Sequence, residues 1–191
     1  MESSTFFPLK IIEELSKLII QKLAQRAQSV ATAESCTGGL LAHYLTNVAG
    51  SSHVFKQGLV TYSNNSKKEL LEIPSTLLKS EGAVSYQVAV AMAEGVRDLS
   101  HATFGLATTG MAPPFLKDSP VNHQLDGREI VSLEKDDGLP VGTLFLAIAQ
   151  QGVKTVVWQE LFPEENRLSF KEKALEALLR RWYSLLEHSQ K

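Results

Sequence analysis

The chain has a single cysteine, Cys36, among its 191 residues, so it cannot form an internal disulfide or build a cysteine-rich metal centre. It has no apolar run approaching ~18 residues, and its N-terminus, Met1-Glu2-Ser3-Ser4-Thr5-Phe6-Phe7, lacks a basic stretch followed by an apolar one. A soluble, cytoplasmic protein with no membrane partner is the expectation. Charge of either sign is not in excess: the net charge is −2, which advertises neither nucleic acid nor an anionic surface as partner. Several signatures are missing as well. There is no Gly-x-x-x-x-Gly-Lys-[Ser/Thr] phosphate loop, no Gly-x-Gly-x-x-Gly fingerprint and no Gly-x-Ser-x-Gly elbow. The five histidines, His43, His53, His101, His123 and His188, form no i, i+4 pair, which leaves a zinc centre and a Ser-His-Asp triad without support. No metal and no cofactor is expected.

What is present is enough apolar material, 43% of the residues, to build one sizeable core. The periodicity predicts an amphipathic helix from Pro8 to about Gln28 and a short buried strand over Val30-Ala31-Thr32-Ala33. A helix follows through Leu40, Leu41, Tyr44 and Leu45. Gly50-Ser51-Ser52 marks a loop, Val54 to Tyr62 a second strand, and Asn64-Asn65 a turn. A short helix from Ser66 is interrupted at Pro74, and Ser85 opens a longer one through Val88, Ala91, Met92 and Val96. Strands are expected over Thr103 to Thr108, Val141 to Ala149 and Thr155 to Leu161, with a last helix from about Asn166 to Leu186. Strands alternating with helices, then two adjacent strands, predict an α/β fold with a mixed sheet. Met111 to Pro140 breaks the pattern, with Pro113, Pro114, Pro120, Gly127 and Gly138 and little periodicity. A structureless loop beyond ~15 residues is uncommon in a compact domain. The tract is therefore functional, partly disordered, or hides a hairpin in which Arg128 to Leu133 pairs through Asp137-Gly138 with the next strand.

Ala33-Glu34-Ser35-Cys36-Thr37-Gly38-Gly39 stands where a strand gives way to a helix, and a helix start offers free backbone N–H groups to an anion. Ser35 there has two readings, a helix cap or a nucleophile. A serine nucleophile needs a base, and without a placed histidine the candidate is Lys67, a cation in the first turn of a helix, where the macrodipole disfavours it. Its other reading is a solvated surface lysine, and Lys68, ~100° around the helix, cannot share its pocket. Tyr62 either supplies a hydroxyl to the pair or packs on its strand. Arg167 repeats the misplaced-cation pattern at the last helix, either clamping a phosphate or pairing with Glu164 and Glu165. His43 reads as a surface or packing residue. Cys36 reads as a small buried residue under the motif, with a reactive thiol the alternative. Glu34 reads as orienting the turn by accepting backbone hydrogen bonds, with proton transfer the alternative.

Those residues resemble the CinA C-terminal domain family. The resemblance rests on Ala33 to Leu40, Ala49-Gly50-Ser51-Ser52, Gly58-Leu59-Val60-Thr61-Tyr62-Ser63-Asn64 and Lys67. It continues through Gly82-Ala83-Val84-Ser85, Ala91-Met92-Ala93-Glu94-Gly95, Thr109-Gly110, Pro140-Val141-Gly142-Thr143 and Asn166-Arg167, in order from about Lys10 to Leu185. The resemblance implies a three-layer α/β/α sandwich and hydrolysis of nicotinamide mononucleotide to nicotinate mononucleotide and ammonia. It implies Ser35 as nucleophile, Lys67 as general base and Tyr62 as supporting hydroxyl. It also implies Thr37, Gly38, Gly39, Thr109, Gly110 and Arg167 around a small-molecule nucleotide, and a homo-oligomer. Two departures stand out. Thr109-Gly110 runs into Met111-Ala112-Pro113-Pro114-Phe115 and an inserted loop at about 111–140, where the family continues through a glycine-rich Ala-Gly-Pro segment. Chain 1–191 is also expected to be one stand-alone domain, without the separate N-terminal domain of long members. An altered or inactive relative that binds a nucleotide or a protein partner, or one acting on a different amide, is the alternative that the insertion raises.

Overall fold

Five short apolar runs separated by amphipathic helices assemble into one mixed sheet in the computed structural model, which describes residues 6–113, 138–163 and 165–188. Strand order is β2-β1-β3-β4-β5, with β1 Val30–Glu34, β2 Phe55–Val60, β3 Phe104–Gly110, β4 Thr143–Gln150 and β5 Val153–Leu161. The first three strands run parallel and the last three antiparallel in sequence, so the sheet is mixed as expected. Alternation along each strand divides its side chains between two faces. On one face Val30, Phe104, Leu106, Leu144, Leu146 and Ile148 pack against α1 (Phe6–Gln25), α2 (Leu40–Thr46) and α6 (Arg167–His188). On the other, Ala31, Ala33, Ala107, Ala147 and Ala149 pack against α3 (Asn64–Leu71), α4 (Ser75–Glu81) and α5 (Tyr86–Ser100). The result is a three-layer α/β/α sandwich. Alanines on the second face let the α5 residues Val88, Met92 and Val96, all fully buried, lie close to the sheet.

Three local expectations need correction. Asn64 and Asn65 begin α3, because Ser63 caps it: Ser63 Oγ accepts from the Ser66 N–H while the Ser66 hydroxyl accepts from the Ser63 N–H. Tyr62 lies two residues beyond the end of β2. Ser51–His53 is a 3₁₀ turn. Ser85 does cap α5, accepting from the Val88 N–H, and the Asn166 side chain caps α6 by accepting from the N–H groups of Leu168 and Ser169. The expected hairpin over Arg128 to Leu133 lies outside the described residues. No helix among the described residues is long and apolar enough to cross a membrane.

Candidate active site

Ser35 follows directly on β1, and its N–H donates to the Thr108 carbonyl at 2.9 Å, extending the pairing of β1 with β3 by one residue. Strand alternation sends Glu34 to the α2 side and Ser35 to the α3 side. Lys67 arrives there from α3. The Lys67 Nζ lies 3.2 Å from Ser35 Oγ and donates to the Thr61 carbonyl at 2.9 Å and the Tyr62 carbonyl at 3.5 Å. Thr61 is itself fixed, its N–H donating to the Glu34 carbonyl at 2.8 Å. The backbone that precedes the serine therefore also locates the lysine. Lys67 is only 1% exposed, which removes the surface-lysine reading, while Ser35 at 9% retains an opening to solvent. A long cation is costly to bury without a purpose.

The helix start behind Ser35 is not the vacant anion pocket that the sequence suggested. Glu34, buried at the end of β1, places its carboxylate on the N-terminus of α2. It accepts from the N–H groups of Gly39 at 3.0 Å, Leu41 at 3.0 Å and Ala42 at 2.8 Å, and from the Thr37 hydroxyl at 2.7 Å. These are the orphan donors of a helix start, and a carboxylate suits their positive end. Thr37 Oγ1 also lies 2.7 Å from Thr108 Oγ1; because the Thr37 proton goes to Glu34, Thr108 is the donor in that contact. Gly38 N–H donates back to the Ser35 carbonyl. Gly39 and Gly38 thus have no N–H to offer a ligand. Among the described residues, no oxygen accepts from the N–H groups of Cys36 and Thr37, and they lie immediately after the serine. Gly39, at φ 94° with no side-chain cap bond, is the N-cap residue, so Ser35 does not cap α2.

The remaining sequence candidates make contacts of their own. Tyr62 is 56% exposed, and its carbonyl meets Lys67, while its hydroxyl accepts from the Arg167 Nη2 at 2.5 Å. Arg167 is the first residue of α6, as expected, but Glu165 pairs with Lys173 instead of with it. Thr109 is buried and donates its hydroxyl to the Ala83 carbonyl at 2.8 Å, tying the sheet to the loop before α5. Gly110 packs on β4: a Cβ there would fall 2.7 Å from the Thr143 carbonyl. Met111 continues that pairing through Thr143 and Gly142, after which residues 114–137 lie outside the description. A groove lined by Glu13, Lys17, Tyr44 and Asn47 between α1 and α2 contains none of these side chains.

Sequence reasoning missed Thr108 and Lys171. Thr108 could have been found as the β3 residue whose alternation matches Glu34, and Lys171 as the residue one helical turn after Arg167. Cys36 is 2% exposed, and burial pushes its thiol up to about 12. The raised value keeps it protonated at neutral pH, so it is no nucleophile. An aromatic disulfide reagent at pH 8 is expected to leave Cys36 unmodified in the native protein and to label one thiol per chain in denaturant. Rapid native labelling would contradict its burial. The sign of the linkage is also set: the folded thiol binds its proton more tightly than the ordinary thiol value of 9.0, so the group's contribution to stability is complete below pH 9 and declines above it.

The CinA C-terminal domain family model matches residues 12–122, more than half of the chain. The chain belongs to the CinA C-terminal domain family. A CinA-like protein of Anaeromyxobacter sp. (strain Fw109-5) is 42% identical over 166 residues, covering 87% of this chain but 36% of that relative. A putative competence-damage inducible protein of Thermoanaerobacter sp. (strain X514) is 48% identical over 102 residues, 53% of this chain and 25% of its own length. The chain thus spans about a third or less of the curated relatives it matches. Among solved structures, competence/damage inducible protein CihA from Agrobacterium tumefaciens matches with a TM-score of 0.76 and 32% identity, covering 92% of this chain and 95% of its own. The competence damage-inducible protein A (ComA) from Klebsiella pneumoniae matches with a TM-score of 0.79 and 27% identity over 94% and 99% of the two chains. The CinA-family sandwich is therefore shared across nearly the whole chain.

Proposed function

We propose that the chain is a Ser-Lys amidohydrolase that deamidates nicotinamide mononucleotide. The observation that carries this reading is the buried Lys67 amine 3.2 Å from Ser35 Oγ, with the next two N–H groups of the serine's turn bonded to no oxygen among the described residues. Removing an amine from water works against its charged form, and the neutral form is the one a base requires. Two carbonyls, of Thr61 and Tyr62, can take N–H bonds from the amine while its lone pair faces the serine hydroxyl.

In the first half-reaction Lys67 takes the Ser35 proton as Oγ bonds to the carboxamide carbon, and the Cys36 and Thr37 N–H groups receive the oxyanion. Collapse breaks the C–N bond, and Lys67 returns the proton to the leaving nitrogen as ammonia. Water then gives a proton to Lys67, attacks the acyl carbon and releases the nicotinate product, while Ser35 recovers its proton. Atoms balance: one amide and one water give one acid and one ammonia. Tyr62 and Arg167 hold the ligand in this scheme, the exposed ring and the guanidinium bonded to its hydroxyl. Incubation of the purified chain with nicotinamide mononucleotide is expected to release ammonia and nicotinate mononucleotide in equal amounts. Absence of both products would overturn the reading in favour of another amide or a binding role.

A further inference from the structure

The anion site of this fold is not the helix start behind the nucleophile, since Glu34 already fills it. Positive charge reaches that turn from α6. Arg167 and Lys171 are one turn apart on that helix and therefore share a face, with ~5–6 Å between their Cβ atoms. Lys171 Nζ stands 3.3 Å from where a Cβ on Gly38 would be. Gly38 itself is exposed at φ 64°, so the turn is both open and free of a side chain where the ammonium approaches it. Val60 reaches within 3.4 Å of the corresponding point on Gly39, and Tyr62, two residues on, holds the Arg167 guanidinium. The Gly38-Gly39 turn, Tyr62 and the two cations are thereby brought to one mouth, next to the loop that begins at Ser35.

Among the described residues no carboxylate bonds to Lys171 or to Arg167: Glu165 is held by Lys173, and the Glu34 carboxylate is spent on α2. A guanidinium fork and an ammonium one helical turn apart match an anion with several oxygens and more than one charge, as a phosphomonoester has.

We infer that Lys171 is a specificity residue that, with Arg167, binds the 5′-phosphate of the substrate above the Gly38 turn. This rests on the deamidase reading, to which it adds the residue that separates a nucleotide from its nucleoside. Losing one charged hydrogen bond to a phosphate costs about tenfold in affinity or more.

Steady-state deamidation of nicotinamide mononucleotide and of nicotinamide riboside is the test, on the full chain and its Lys171→Gln, Lys171→Arg and Lys173→Gln variants. Lys171→Gln is expected to lower the nucleotide-to-nucleoside ratio of kcat/KM about tenfold or more, chiefly through KM. Lys171→Arg is expected to restore most of it, and Lys173→Gln, at the neighbouring ion pair, to leave it unchanged. Equal losses on both substrates would reduce Lys171 to a prop for the turn and overturn the proposal, as would an unchanged ratio. If wild-type protein deamidates neither compound, the deamidase reading fails alone, because a second readout still decides the subsite. Ribose 5-phosphate titrated into the Ser35→Ala chain, followed by ³¹P NMR, is expected to bind in a salt-dependent manner and to weaken about tenfold or more with Lys171→Gln. Binding that is absent, or indifferent to Lys171, overturns it.

Discussion

Ser35→Ala and Lys67→Met are each expected to lower kcat for deamidation by at least about 10³-fold, and the double variant is expected to be no worse than the poorer single one. The magnitude follows from the roles: a serine hydroxyl without its base is a weak nucleophile, and a base without the serine has no proton to take. Non-additivity is the sharper part. Two residues that lie 3.2 Å apart and act on one proton form a unit, so removing the second member after the first removes nothing further. Independent contributions would instead multiply. Methionine is chosen at position 67 because it keeps the length and apolar stem of a side chain that is buried, whereas alanine would leave a cavity and confuse lost chemistry with lost stability. Chemical denaturation of each variant beside its kinetics checks the distinction. A double variant that loses the product of the two single losses would mean that Ser35 and Lys67 do not share a proton.

The order of strands and helices was legible because its signals are local. Alternation and helical stripes marked each element, and caps such as Ser85 and Asn166 marked starts. The Asn64-Asn65 turn was misread for a local reason too: asparagine favours turns, but Ser63 one residue earlier makes a reciprocal cap with Ser66 and draws both asparagines into α3. The Ser35 and Lys67 pairing was inferable from a misplaced charge, since a lysine in the first turn of a helix needs compensation from elsewhere. Side-chain direction was not legible. Nothing local says that the Tyr62 hydroxyl turns to Arg167, or that the Thr109 hydroxyl turns to Ala83, because both partners are distant in sequence. The same holds for the supposed anion pocket. A glycine-rich helix start looks vacant in a sequence, and only the alternation that sends Glu34 to the opposite face from Ser35 shows why it is filled.

Glu34→Ala is expected to cost more stability than any other single substitution near the site, on the order of 4 kcal/mol or more. Its carboxylate accepts four hydrogen bonds in a buried position, and deletion leaves three backbone N–H groups and the Thr37 hydroxyl without it. Each buried donor left unsatisfied costs about 1–3 kcal/mol, although water entering the cavity returns part of that. Glu34→Gln separates charge from shape. An amide oxygen at the Oε2 position can still accept from Thr37, Gly39 and Leu41, but the amide NH₂ then stands at the Oε1 position against the Ala42 N–H, donor to donor. The loss is expected to be intermediate, about 1–3 kcal/mol. Urea denaturation of the three proteins measures the order, which should be wild type, Glu34→Gln, Glu34→Ala. Catalysis is expected to follow stability only in part. The Gln variant retains three of the four acceptor contacts that shape the turn from Ser35 to Gly39, so its kcat should fall far less than that of Ser35→Ala. If Glu34→Gln were as inactive as Ser35→Ala while remaining folded, the carboxylate would be taking part in proton transfer, and its assignment as the anchor of the nucleophile turn would have to be abandoned.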